Sequence, residues 1–321
     1  MAGHAARDLV TIDAVRQAAH LISGKVKVTP VVTSASLSAM VGGRLEFKAE
    51  MLQQTGSFKV RGMLHKLLRL DPQQLARGVV TASAGNAAAA LAWAARQAGT
   101  SATVVMPATA VPAKIEATRA YGAEVILADG DLFATYEAVR DERGLTPVHP
   151  FDDPDVIAGH GSLALELVAE RPELDIVLVP VGGGGLISGV AVVLKTLLPD
   201  VRVIGVEPAT ADVVSLSLAS GRVERLPTAR SVADGLAAPV CGVHTLAHIQ
   251  RYVDEVVRVG EESIVEATRL ILSRTKLVAE PAAAVGLAAL LEGAARPHPG
   301  GLTLSVLSGG NLNVSTVLSG R

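Results

Sequence analysis

The chain has 321 residues, enough for two domains or one large α/β unit with a sizeable core. Its 29 Lys and Arg nearly balance 31 Asp and Glu, and the resulting charge of -2 argues against a nucleic-acid or acidic-membrane partner. The single cysteine, Cys241, excludes an internal disulfide; it reads as a small buried hydrophobe and fits a reducing cytoplasm.

The N-terminus, MAGHAARDLVTIDAV, brings Arg7, Asp8 and Asp13 early and has no apolar stretch of the kind a signal peptide needs. Lys59 follows inside TGSFKVRG, residues 55–62, with no acidic residue adjacent to hold it as a simple ion pair. Short apolar runs then recur at residues 79–81, 103–106, 124–127, 176–179, 203–206 and 302–307. Each is followed by Gly, Ser or Pro and then by an Ala/Leu-rich segment with helical spacing. Continuous apolar runs are expected of strands covered on both faces, and their alternation with helices predicts βαβ units and an open, mostly parallel, doubly wound α/β fold. The stretch VHPFDDPD, residues 148–155, interrupts the pattern and reads as a loop or hinge. Mean hydropathy is +0.40, and residues 176–194 form an uncharged run long enough to span a bilayer. Its middle is PVGGGG, however, which would break a spanning helix, so a buried strand, a glycine loop and a helix are expected there.

In such sheets ligands bind beyond the carboxyl ends of the strands, which singles out three loops: SAGN (83–86), GGGG (182–185) and SGGN (308–311). Four successive glycines, Gly182, Gly183, Gly184 and Gly185, let backbone N–H groups converge on an anion at a helix N-terminus. Dinucleotide spacing fails, because Gly would be needed at Ile187 or Ser188, and no ATP-type loop is present. The competing reading is a tight turn without a ligand. A lysine nucleophile must be uncharged or already condensed with a carbonyl, and burial favours both. A reactive Lys59 and a separate phosphate cradle together suggest a cofactor carrying an aldehyde and a phosphate.

The chain resembles the fold-type II pyridoxal-phosphate enzymes of the tryptophan synthase β-like superfamily, and within it the serine/threonine dehydratase and serine racemase family. The matching pieces are TPVVTSASLS, LEFKAEMLQQTGSFKVRGM, SAGN, AYGAEVIL, HPFDDPDVIAGHGSLALEL, PVGGGGLISG, GVEP, ADGLA, AEPAAAVGLAAL and LSGGN, in family order from about residue 29 to residue 313. The resemblance implies that Lys59 condenses with the cofactor aldehyde and later removes the substrate Cα proton. It places Phe58 beside the ring, the four glycines on the phosphate, Asn86 on the ring hydroxyl and Ser308 at the pyridine nitrogen. Ser83, Ala84, Gly85 and Asn86 would hold the substrate carboxylate. A serine at the ring nitrogen, where an aspartate would keep it protonated, disfavours a long-lived carbanionic state and suits β-elimination of water. The product then hydrolyses to a 2-oxo acid and ammonia, with the cofactor phosphate protonating the departing hydroxyl.

Racemases of this family carry a second acid/base directly after the carboxylate-binding serine. Here that position is Ala84, which cannot carry a proton, so dehydration of L-threonine or L-serine is expected over serine racemisation. Two departures bear on detail. Ala87 replaces the family's usual histidine, which enlarges or dries the region near the substrate and admits a bulkier 3-hydroxy amino acid. In VEPATADVV, Glu207 and the carbonyl of Ala211 match a Mg²⁺ or Ca²⁺ site of some relatives, but Val213 replaces its aspartate. Phe133, in GDLFATYEA, lines the side-chain pocket or is one more core aromatic. Glu280 supports the cofactor or is a helix N-terminal charge. His149 and His160 are given no catalytic role, and His244 and His248, spaced i, i+4, read as a solvated face.

The resemblance further implies a large cofactor-binding domain of residues 1–50 and 152–321, a small mobile domain of 51–151, and a cytoplasmic homo-oligomer acting on a small amino acid. The chain stops at Arg321, shortly after SGGN, so no effector domain of the biosynthetic kind is expected, which favours a catabolic or specialised role. Rival readings are β-replacement, as in a cysteine synthase, and a catalytically silent cofactor-binding protein.

Overall fold

The computed structural model describes residues 9–312, so Asn313, where the motif series ends, lies outside the described residues. From the N-terminal side, α1 (Ile12–Ile22), β1 (Val31–Thr33), α2 (Ala35–Val41) and β2 (Arg44–Ala49) lead into α3 (Lys59–Arg69). Next come α4 (Pro72–Arg77), β3 (Val79–Ala82), α5 (Asn86–Ala98), β4 (Ala102–Pro107), α6 (Pro112–Ala120), β5 (Glu124–Ala128), α7 (Leu132–Arg143) and β6 (Thr146–Pro147). The chain continues through α8 (Pro154–Glu170), β7 (Leu174–Pro180), α9 (Gly185–Leu197), β8 (Arg202–Pro208), α10 (Val213–Ser220) and α11 (Val243–Tyr252). It closes with β9 (Glu255–Val259), α12 (Glu261–Thr275), α13 (Pro281–Leu291) and β10 (Leu302–Leu307).

These strands form two sheets. One has the order β1-β2-β10-β7-β8-β9 and is parallel except for β1 against β2; the other is fully parallel, in the order β5-β4-β3-β6. The central strand β7 explains the uncharged run. Val177 and Val179 join the core that contains Val190 and Leu194 of α9, while Ile176 and Leu178 join the opposite core with Val285 and Leu287 of α13. Side chains alternate across a strand, so a strand covered by helices on both faces must be apolar at every position. Each such side chain contributes about 1.5–3 kcal/mol on burial. Among the described residues no helix is long and apolar enough to cross a membrane.

Helix α8 is the shaft between α3 and α9, and glycines set its approach to both. A Cβ on Gly159 would lie 2.6 Å from the Arg61 carbonyl oxygen, and one on Gly189 would lie 2.3 Å from the Ile157 carbonyl oxygen. The backbones therefore touch without intervening side chains, which fixes Lys59 at the head of α3 relative to Gly185 at the head of α9. Gly189→Ala should force the α8–α9 contact apart and lower stability by about 1–3 kcal/mol, as overpacking does. A denaturation midpoint equal to that of the parent protein would contradict this account. Cys241 is buried as expected, its Sγ donating to Ser217 Oγ at 3.3 Å.

Candidate active site

A cavity of about 550 Å³ opens beyond the carboxyl ends of β3, β4, β7 and β10. It is lined by Phe58, Lys59, Ser83, Ala84, Gly85, Asn86, all four of Gly182, Gly183, Gly184 and Gly185, Glu280 and Ser308. The structure thus brings together the residues singled out for lysine, anion, ring and carboxylate chemistry, from segments more than two hundred positions apart in sequence. Glu207 and Ala211 do not line this cavity.

Lys59 is the first residue of α3, and its Nζ donates to the Pro150 carbonyl oxygen at 2.8 Å, 5.1 Å from the centroid of the Phe58 ring. Burial without a carboxylate partner pushes the amine down to about 8. Only the uncharged amine attacks a carbonyl, and its fraction rises as pH rises through 8. The rate at which cofactor-free protein takes up pyridoxal phosphate, read as growth of a visible absorption band, should therefore climb between pH 7 and 9 with a midpoint near 8. A flat profile across that range would show that the amine is not the titrating group.

The glycine loop is held from behind. A Cβ on Gly183 would meet the Phe151 ring at 2.5 Å, and one on Gly182 would meet the Leu236 backbone at 3.0 Å. Gly184 has φ +93°, a conformation that favours glycine, and Thr245 Oγ1 donates to the Gly183 carbonyl at 2.7 Å. Glycine is therefore required here by packing against Phe151 and Leu236 as well as by any ligand in front. The opening N–H groups of α9 have no partner within the helix, and Gly185 and Leu186 line the cavity, so anion-binding donors are in place.

Asn86 opens α5 and is fixed by neighbours on other elements. Its Nδ2 donates to Glu280 Oε1 at 2.6 Å, and its Oδ1 accepts from Asn311 Nδ2 at 2.8 Å. Glu280 occupies the N-cap position of α13, yet burial rather than the helix dipole dominates: its carboxyl is pushed up to about 7, opposed by the Asn86 hydrogen bond. Ser83 Oγ accepts from the Gly85 N–H at 3.3 Å, which turns the SAGN loop. No atom lies within 4 Å of where a Cβ on Gly85 would sit, so this backbone is open to a ligand.

Several lining residues were not assigned from the sequence. Thr81, at the end of β3, is buried with an Oγ1 that lacks a hydrogen-bond partner. His149, Pro150 and Phe151 lie in the segment read as a hinge, and His149 Nδ1 accepts from the Asp152 N–H at 2.7 Å. Residues 234–240 also line the cavity. The only signal for residues 149–151 and 234–237 was their place in the HPFDD and ADGLA motifs, which carried no residue roles, and Thr81 reads only as part of a strand.

One expectation needs correction. His248 is fully buried, with Nε2 accepting from the Val10 N–H at 2.8 Å, and His244 Nδ1 is buried without a partner, so these histidines do not form a solvated face. Of the two readings of Phe133, the structure fits pocket lining: it is 50% exposed, lines the cavity and is not a core aromatic. His160 is buried edge-on to Phe58, ring centroids 4.7 Å apart, and burial holds it uncharged. Glu207 accepts from the Val214 and Ser215 N–H groups and from Ser215 Oγ, at 2.8–2.9 Å, at the head of α10. Among the described residues no group of three His, Cys, Asp or Glu is placed to hold a metal.

The donor set fits pyridoxal phosphate: a buried amine, open N–H groups at a glycine loop, a ring-side Phe58, and the orphaned Thr81 hydroxyl share one cavity. Comparison with known proteins agrees. Residues 22–309 match a family model described as pyridoxal-phosphate dependent enzyme. The chain is 42% identical to an L-threonine ammonia-lyase of Thermotoga maritima over 96% of its length and 77% of that protein's, and 44% identical to one of Geobacter sulfurreducens over 94% and 76%. Among solved structures, maize serine racemase superimposes with a TM-score of 0.92 at 37% identity, covering 97% of each chain.

Proposed function

The chain belongs to the pyridoxal-phosphate dependent enzyme family, and from that premise we propose that it is an ammonia-lyase acting on L-threonine and L-serine. The observation that carries the reading is Lys59, half-buried, with its amine desolvated and lowered to about 8, in one cavity with the glycine loop and the SAGN loop. When bound, pyridoxal phosphate supplies an aldehyde for the lysine and a conjugated ring that withdraws electrons released at the substrate Cα. Gly182, Gly183, Gly184 and Gly185 would hold its phosphate, Phe58 would lie by its ring, Asn86 would bond its hydroxyl and Ser308 its nitrogen.

Ser83 and the backbone of Ala84, Gly85 and Asn86 orient the substrate carboxylate. Lys59 Nζ would take the proton from the substrate Cα. The Cα–H pair moves toward Cβ as the β-hydroxyl leaves with a proton as water. One water is consumed again when the unsaturated amine hydrolyses, so L-threonine yields 2-oxobutanoate and ammonia. Ala84 carries no proton for the opposite face of Cα, which argues against racemisation. Glu280 keeps Asn86 in place through the 2.6 Å hydrogen bond.

Residues 51–151 form the smaller unit, and its closure over the cavity excludes water while the large domain's described residues stay fixed. The four-stranded sheet lies wholly inside that range, which supports the division. A divalent cation at Glu207 and the Ala211 carbonyl would stabilise the fold rather than take part in the chemistry, because neither lines the cavity. Dialysis against EDTA is accordingly expected to leave turnover intact, and its loss would place a metal in the reaction. The enzyme is expected to work in the cytoplasm as a homo-oligomer, and sizing chromatography tests the latter.

The deciding experiment is the visible spectrum of the purified protein during addition of L-threonine. A band that shifts on addition while 2-oxobutanoate and ammonia accumulate in equal amounts supports the assignment. A protein that shows no band after incubation with pyridoxal phosphate overturns it.

A further inference from the structure

Helix α7 carries one apolar residue more than its packing needs. Leu132, Tyr136 and Val139, spaced i, i+4 and i+7, form its core-facing stripe against Val80, Val105 and Ala128 of the four-stranded sheet. Phe133 stands one position off that stripe, half exposed, and lines the cavity instead. Val111, 47% exposed before α6, and Ala87 in the first turn of α5 line the same cavity. A large aromatic ring left uncovered inside a cleft is the informative kind of exposure.

The charged groups in the cavity are already engaged. Lys59 donates to Pro150, Lys114 pairs with Asp234, Glu280 accepts from Asn86, and the His149 ring accepts from backbone N–H groups. None of them is left to neutralise an acidic substituent on Cβ. With the amine, phosphate and carboxylate positions assigned to Lys59, the glycine loop and the SAGN loop, the apolar wall is left for the group on Cβ.

We propose that Ala87, Val111 and Phe133 form an apolar subsite for the β-substituent and that it takes an aryl ring, so that 3-aryl-3-hydroxy amino acids are substrates. This rests on the ammonia-lyase reading above. The reaction is the same elimination: the Cα–H and Cβ–OH bonds break, water leaves, and hydrolysis gives an aryl-substituted 2-oxo acid and ammonia. Ala87 provides room that an imidazole would fill, and Phe133 offers its ring to the incoming one.

The test uses holoenzyme with L-threonine, L-threo-3-phenylserine and 3-hydroxyaspartate. The parent enzyme should show a kcat/KM for phenylserine at least equal to that for threonine. Phe133→Ala and Ala87→His should each lower the phenylserine-to-threonine ratio by about tenfold or more, the scale on which an apolar pocket discriminates. L-Phenylalanine lacks the leaving hydroxyl and reads the subsite without turnover. It should bind about tenfold more tightly than L-alanine, followed by the spectral shift, and lose that advantage in Phe133→Ala. Threonine turnover without phenylserine turnover, preference for 3-hydroxyaspartate, or a ratio unmoved by Phe133→Ala overturns the subsite. Failure with every substrate overturns the ammonia-lyase reading itself, and the L-phenylalanine comparison then still decides the subsite.

Discussion

Lys59→Ala is expected to fold normally, lose the visible band on addition of pyridoxal phosphate, and release ammonia from L-threonine at least ~10³-fold more slowly. Two functions vanish together, the amine that captures the aldehyde and the base that takes the Cα proton. The fold should not suffer, because a buried amine whose charged form is disfavoured by desolvation contributes little to stability. Among the described residues, its hydrogen bond is to the Pro150 carbonyl, which also lines the cavity. Lys59→Arg sharpens the test. Its guanidinium keeps a positive charge and a long stem but is protonated at any working pH, so it supplies no uncharged amine. A loss as large as that of the alanine variant would show that nucleophilicity and not charge is at stake. Substantial turnover in either variant would mean that the chemistry lies elsewhere.

The parts of this molecule legible in its sequence are those whose partners impose a local pattern. Residues 79–81, 103–106, 124–127, 176–179, 203–206 and 302–307 all lie within strands, and helices on both sides make the inner strands mostly apolar, whereas edge strand β5 leaves Glu124 and Leu127 exposed. The strands that were missed break that pattern for physical reasons. In β2, RLEFKA, Glu46 is 3% exposed and Lys48 is fully buried; Glu46 meets Arg44 on its own strand, but the other partners of this pair of charges are distant. Arg171 reaches Glu46 at 2.6 Å and Glu166 reaches Lys48 at 2.6 Å, from positions more than a hundred residues on. No window of sequence contains that information. Strand β6 has only two residues, one of them proline, and β9 is an edge strand that carries Glu255 and Arg258. The cavity divides in the same way. Lys59, the glycine loop and SAGN announce themselves by composition, whereas Pro150, Phe151 and Leu236 act through backbone atoms or bulk behind the loop and leave no local signature.

Removal of Arg61 is expected to cost more stability than any other single substitution near the site. Its Nε and Nη2 grip both oxygens of Glu50 at 2.8 Å, and Nη1 meets Glu166 at 2.6 Å. Further donors go to Ser162 Oγ and the Lys27 carbonyl, each at 3.2 Å. Arg61 is 1% exposed and Glu50 fully buried, with Thr29 Oγ1 also donating to Glu50. Burial works against the guanidinium charge, but the two carboxylates outweigh it and raise its proton affinity. With Lys48 the cluster holds two cations against two anions, so its net charge is zero. Arg61→Leu leaves Glu50 and Glu166 facing Lys48 alone, an uncompensated buried charge, at about 3–5 kcal/mol. In a chain of this size that lowers the melting temperature by roughly 10 °C. Arg61→Lys should recover only part of the loss, since one ammonium cannot meet both Glu50 oxygens and Glu166 together. Because Arg61 lies two residues after Lys59 on α3, cofactor uptake should weaken in parallel with stability. A melting temperature within about 2 °C of the parent in Arg61→Leu would mean that the cluster repacks, and that α3 is held by its glycine contacts with α8 alone.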